Sequence, residues 1–203
     1  ARADMYLIGY FLGTTSVGYY SIAVLVAELV FLAPQVAGQL IFPKAAAQEK
    51  DSHLLAARVN RISIVYSLVL VLGVVAVGKY IIVFLFGPDF IKSFYPMLFL
   101  LPGIIAINSG STLGYYLGGR EGYPPILIVA IFSALVTNIF LNLVLIPKFG
   151  IVGAAISSSI AYMIYILVYC IYFKRQTGLV FKDFLIPKWQ DLVYLRTQIR
   201  LHK

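Results

Sequence analysis

Four stretches of this chain run for more than twenty residues with almost no charge, and they decide most of what it can fold into. Residues 62–86 carry only Lys79, while 94–117, 124–146 and 150–173 carry no charge until their ends. A helix needs about 20 apolar residues to cross the hydrocarbon core of a bilayer. A barrel strand needs only about ten, with alternating character, so unbroken runs of this length predict helices. A fifth run, 19–42, has one acid at its middle, Glu28. Ahead of it, 5–12 is apolar but short, and Gly13-Thr14-Thr15-Ser16-Val17-Gly18 punctuates the two. The chain opens on Ala1, already in apolar sequence. The expectation is a longer protein whose sixth helix enters here only as its second part, 1–13. The fold class is therefore all-α, a polytopic membrane helix bundle over 1–173 followed by a basic tail over 174–203.

Composition agrees, since 61% of the 203 residues are apolar and 12% charged, against about 25% charged in a soluble domain. The formal net charge of +8 does not indicate nucleic acid, because the basic residues sit in the breaks between apolar runs. Lys44, Lys50, Arg58 and Arg61 fall in 43–61, Arg120 in the break at 118–123, and seven more lie from Lys174 onward. With alternating helices, all these regions share one side; Lys92 and Lys148 lie opposite, Lys79 near a helix end, and Arg2 in the opening run. The excess of Lys and Arg in short loops marks the cytoplasmic face, so loop 43–61 and the tail are expected there. The tail repeats Phe181, Phe184, Leu185, Trp189, Leu192 and Val193 at roughly helical spacing, interrupted by Pro187. Two readings stand for it: an amphipathic segment in the interface, or a partly disordered tail.

No catalytic constellation is present. His53 and His202 fall in the expected cytoplasmic segments, far from any paired acid that would orient them, the lone Cys170 lies in an apolar run, and Gly118-Gly119-Arg120-Glu121-Gly122 sits between two membrane helices, not after a strand. Neither an enzyme nor a bound cofactor is expected. The informative residues are polar ones at membrane depth, where ionisable groups are costly and face a cavity or a partner. Glu28, Gln35 and Gln39 share one face of a continuous helix. Pro34 bends that helix, and neighbouring groups must satisfy the carbonyl it frees. The stripe lines a water-filled cavity or packs through hydrogen bonds. If the first helix ends near Gly13, Arg2 lies about 16 Å deeper at about 1.5 Å per residue. Arg2 and Asp4 then form a buried charge pair or offer a guanidinium to phosphate, unless the start of the chain is outside the bilayer. Asn108, Ser111, Thr112 and Tyr115 form a further stripe near Pro102-Gly103. Ser133, Thr137, Asn138 and Asn142 form another, and 153–159 is a run of small residues; both stripes and the run read mainly as packing glue between helices.

Several segments, in order, resemble one family. Gly18-Tyr19-Tyr20-Ser21-Ile22-Ala23 and Ile41-Phe42-Pro43-Lys44 look like the opening of the second half of polysaccharide flippases, and Leu85-Phe86-Gly87-Pro88-Asp89-Phe90 like their next periplasmic corner. The stretch from Asn142 through Pro147-Lys148-Phe149-Gly150 to Ser157 is similar to a two-helix signature of the multidrug/oligosaccharidyl-lipid/polysaccharide exporter superfamily. The likeness runs from Arg2 to about Gly178. It implies the second six-helix lobe of a MATE-like transporter in the cytoplasmic (inner) membrane, working by alternating access with the N-terminal half of the same protein. The implied cargo is an oligosaccharide on a polyprenyl pyrophosphate, for O-antigen, capsule or exopolysaccharide assembly. Membrane lipids and polysaccharide polymerase or chain-length components are the other implied partners. A lipid II flippase, a drug/cation antiporter and a non-transporting scaffold are the alternatives. The candidate cavity residues are Arg2, Asp4, Glu28, Gln35, Gln39 and Asn108.

Overall fold

The computed structural model describes residues 3–122, 124–188 and 191. Among them every regular element is helical: α1 (Ala3–Leu12), α2 (Thr14–Glu28), α3 (Leu32–Ala46), α4 (Ser52–Phe86), α5 (Phe94–Glu121), α6 (Pro125–Thr177) and α7 (Phe181–Leu185). Short 3₁₀ turns at Leu29–Phe31 and Pro88–Ser93 join α2 to α3 and α4 to α5. Four segments are long and apolar enough to cross a membrane: Thr14–Phe31, Ser52–Phe86, Pro88–Glu121 and Pro125–Thr177. The chain is a multi-pass membrane helix bundle.

The last segment holds two helices. Gly150 adopts a non-helical backbone (φ 60°, ψ −141°) just after Pro147. A Cβ on Gly153 would collide with the carbonyl of Leu145, and Asn138 bonds Ser158. Pairs 145/153 and 138/158 centre on neighbouring residues, 149 and 148, so α6 folds back as an antiparallel hairpin of 125–149 and 151–177. The same reasoning orders the other helices. Gly9 faces Val17 and Asp4 bonds Tyr20, an antiparallel hairpin turning at Gly13. Asn60 meets Ser109 and Gly78 meets Met97, so α4 and α5 are antiparallel. Gly103, Gly110 and Gly114 face Ser159, Tyr165 and Tyr169 in ascending order, so α5 and 151–177 run parallel. Breaks 47–51, 122–124 and 178–180 therefore share one end of the bundle, which is the basic end. Gly13, 87–93 and 147–150 share the other, where Leu12 approaches Gly150 and Tyr19 stacks edgewise on Phe90.

Three features depart from the sequence expectation. The run 19–42 is not one helix: a 3₁₀ turn interrupts it directly after Glu28. Pro34 has no N–H for the carbonyl of Val30 and stands in the first turn of α3, where an intrahelical donor is not needed. Second, the loop expected over 43–61 is mostly helix. α3 runs to Ala46 and α4 begins at Ser52, because hydropathy marks where the hydrocarbon ends, not where the backbone ladder ends. At about 1.5 Å per residue α4 is about 52 Å long, well beyond a core of about 30 Å, so its first turns project past the apolar layer. Third, the tail packs on that projection, with Phe184 fully buried. Trp189, Leu192, Val193 and Arg196 lie outside the described residues.

Candidate functional site

The polar groups that converge inside the bundle come from four helical segments. Asp4 in α1 is buried, and its Oδ1 accepts the backbone N–H of Met5 at 3.0 Å. Its Oδ2 accepts the Tyr20 hydroxyl from α2 at 2.7 Å and the Ser158 hydroxyl from 151–177 at 3.3 Å. Ser158 Oγ in turn accepts Asn138 Nδ2 at 3.1 Å, and Asn138 Oδ1 accepts Asn142 Nδ2 at 3.0 Å. The chain of donors points from Asn142 through Asn138 and Ser158 to the Asp4 carboxylate. No ion pair to it occurs among the described residues.

Depth follows from helix rise. Asp4 is eight residues from Leu12 and Ser158 eight from Gly150, about 12 Å from that end at about 1.5 Å per residue, and so near the middle of the bilayer. Asp4, Tyr20, Glu28 and Tyr162 border a pocket of about 40 Å³, room for a few waters where about 10–15 Å³ admits one. Tyr162 also borders a cleft of about 170 Å³ formed by α5 and both halves of α6, which Asn138 and Ser158 reach from its polar side. Tyr162 thus borders both spaces.

The six sequence candidates separate here. Asp4 and Glu28 meet at the small pocket, Glu28 from an exposed position. Gln39 is exposed on α3, and the 3₁₀ turn breaks the continuous face that it was expected to share with Glu28. Arg2 and the side chain of Gln35 lie outside the described residues. Asn108 is fully buried away from the cluster: its Nδ2 donates to Ser67 Oγ at 2.7 Å and to the Val30 carbonyl at 3.3 Å. That carbonyl is the one Pro34 leaves without an intrahelical donor, so Asn108 holds the α2–α3 break against α5. Asn108→Leu is expected to lower stability by about 1–3 kcal/mol, the cost of orphaning a buried polar group. An unchanged melting temperature of the full-length protein in detergent would refute this clamp.

Tyr20, Asn138, Ser158 and Tyr162 were not among the sequence candidates. Asn138 and Ser158 stood in stripes read as packing glue, and a serine in a run of small residues carries no sign of its partner. A hairpin centred near 148 pairs 138 with 158, so the turn at 147–150 was the one signal that joined them.

Over 184 residues the chain is 27% identical to the probable low-salt glycan biosynthesis flippase Agl15 of Haloferax volcanii. The similarity covers 88% of this chain and 39% of that protein, so the chain spans about two fifths of the length of this curated relative. No family model matches the chain. No solved structure matches it.

Proposed function

We propose that this chain is the second lobe of a MATE-like membrane transporter that moves lipid-linked glycan units across the cytoplasmic membrane by alternating access. One observation carries the reading: a carboxylate near mid-bilayer, Asp4, collects three donors beside a pocket and a cleft. Such a group is expensive in hydrocarbon and is retained where a polar cargo or ion passes. The likeness to a glycan biosynthesis flippase supports the same class, a transporter and not an enzyme. In this reading the cargo is an oligosaccharide on a polyprenyl pyrophosphate. The N-terminal half of the protein supplies the facing wall, and Arg2 is a candidate cation for the phosphates. The basic end, with loop 43–61 and the tail, is cytoplasmic, as the distribution of Lys and Arg indicates.

A second reading rests on Asp4 and Glu28 sharing one small pocket. Two acids around a few waters suit a proton or monovalent cation, as in an antiporter. A scaffold needs neither acid. Complementation of a deletion strain with the full-length gene separates the three. Asp4→Asn is expected to lower surface glycan by about tenfold or more, the loss of one transition-state contact of about 1.4 kcal/mol, at unchanged protein level. Lipid-linked oligosaccharide should then accumulate in the cytoplasmic leaflet. Normal surface glycan together with normal cation-driven drug export in both Asp4→Asn and Glu28→Gln would refute the site. Loss of cation-driven drug export with intact glycan would select the antiporter.

A further inference from the structure

On the other face of the seam between α5 and 151–177, away from Asp4, the bundle carries a larger depression. Its volume is about 460 Å³, within the range of about 300–1,000 Å³ typical of pockets for small apolar ligands. Ile64, Ile105, Ile166 and Leu167 form its walls, and Phe181 and Leu185 of α7 close it toward the basic end. Among the described residues Ser109 is the one hydroxyl on its lining, and that group is engaged with Asn60. Along 151–177 the lining runs from Met163 to Cys170, about 10 Å at about 1.5 Å per residue.

We propose that this groove holds a hydrocarbon chain of an anionic phospholipid, with the phosphate at the α7 end. Its walls belong to membrane-spanning segments, and Leu167 is 55% exposed, so the medium it faces is acyl chain. The charge at its closed end selects the headgroup. Lys174 Nζ stands 4.9 Å from the centroid of the Phe181 ring that caps the groove. Arg175 and Lys182 are exposed beside it. Three acids of this end are engaged elsewhere: Asp183 pairs with Lys188 at 2.9 Å, Asp191 with Arg61 at 2.6 Å, and Glu121 accepts the Tyr172 hydroxyl at 2.6 Å. A net positive mouth over an apolar channel is complementary to a phosphate on an acyl chain. The mouth is also fixed in position, since Asn60 Nδ2 donates to the Phe184 carbonyl at 2.8 Å and Arg61 to the carbonyl of Asp183. The α5 seam separates this groove from the Asp4 cluster, and the Ile107–Tyr162 side and the Ile105–Ile166 side are lined by different residues. That separation favours a bulk membrane lipid over the carrier of a cargo bound near Asp4.

The test uses the full-length protein in detergent with dioleoylphosphatidylglycerol or dioleoylphosphatidylcholine, which share chains and differ in net charge. Lipid retention is read by native mass spectrometry. Wild type is expected to retain the anionic lipid about fivefold over the zwitterionic one, as about one basic contact implies. Leu167→Trp, at an exposed position, should fill the groove and lower that retention severalfold. Ile171→Trp, one turn further and outside the lining, should not. Lys174→Ala with Lys182→Ala should erase the preference between the two lipids. Equal retention of both lipids by wild type, or a Leu167→Trp variant that binds as wild type does, would overturn the proposal. Displacement of phosphatidylglycerol by a polyprenyl phosphate would assign the groove to the carrier, and absence of retained lipid would assign it to a protein segment; either result also overturns it.

Discussion

Asp191→Ala is expected to release the tail from α4 and to be among the most destabilising single changes on the basic end. Arg61 grips Asp191 with two parallel bonds, Nε to Oδ2 and Nη2 to Oδ1, both 2.6 Å. Both residues are buried, at 8% and 3% exposure. Arg58 stands at 4.0 Å and the backbone N–H of Lys188 donates to Oδ2 at 2.9 Å. Removing one partner of a buried pair leaves the other charge uncompensated, at about 3–5 kcal/mol. The tail can lift and let water reach Arg61, so the cost appears as undocking. Trypsin cleavage at Lys182 and Lys188 should accelerate, and hydrogen exchange over 181–185 should rise. Arg61→Leu with Asp191→Leu is expected to recover part of the loss, since apolar replacements of similar volume avoid the desolvation of both ions. A tail as protease-resistant in Asp191→Ala as in wild type would refute the clamp.

The pH dependence of this docking has a definite sign. The Arg61 guanidinium bonded to Asp191 holds its carboxyl below the ordinary value of 3.8, against the opposing effect of burial. The docked tail therefore binds fewer protons than the free tail in acid. Its contribution is complete at neutral pH and is lost only as pH falls below about 3.8 toward the docked value. Tryptic protection of the tail should be flat from neutral down to mildly acidic pH.

Gly103→Val is expected to cost about 3 kcal/mol, at the upper end of what overpacking usually costs, and to disturb the cleft beside Asp4. A Cβ at this position would stand 2.5 Å from the Cα of Ser159 and 2.8 Å from its Oγ. The nearest obstacle is backbone, so no rotamer change relieves it and the two helices have to separate. Ser159 already bonds to the α5 backbone: its Oγ donates to the Phe99 carbonyl at 2.5 Å and accepts the Gly103 N–H at 3.3 Å. The side chain thus touches both ends of one i→i−4 rung next to Pro102. Ser159→Ala should cost only about 1 kcal/mol, the net worth of an ordinary hydrogen bond. Thermal unfolding of both variants in detergent orders the two effects. Equal midpoints for Gly103→Val and Ser159→Ala would show that close backbone approach does not set this seam.

Some of the interior could be read before folding. Pro34 announces a freed carbonyl, and the structure supplies its donor, Asn108. The identity of that donor was not legible, because Asn108 lies 78 residues away from Val30 and carries the same signature whether it clamps a backbone or lines a cavity. Gln39 failed to join Glu28 for a related reason. The shared face assumed an unbroken helical period, and the 3₁₀ turn at Leu29–Phe31 resets the angle between them. Arg61 was read as one of many basic residues fixing orientation, whereas burial against Asp191 gives it a structural task.

The sequence by itself determined that the chain is helical, crosses a membrane several times and gathers its basic breaks at one end. Hydrocarbon leaves the backbone no partner but itself, so run length and loop charge are sufficient for that much. Only the tertiary structure decided that Asp4, Tyr20, Asn138 and Ser158 meet near mid-membrane, and that the tail returns to α4 across 130 residues to place Asp191 on Arg61. Those contacts depend on the angles at Gly13, Leu29–Phe31 and Gly150. A hydropathy pattern records where a helix lies in the bilayer, while the rotation that brings one polar side chain to another is set by packing between helices.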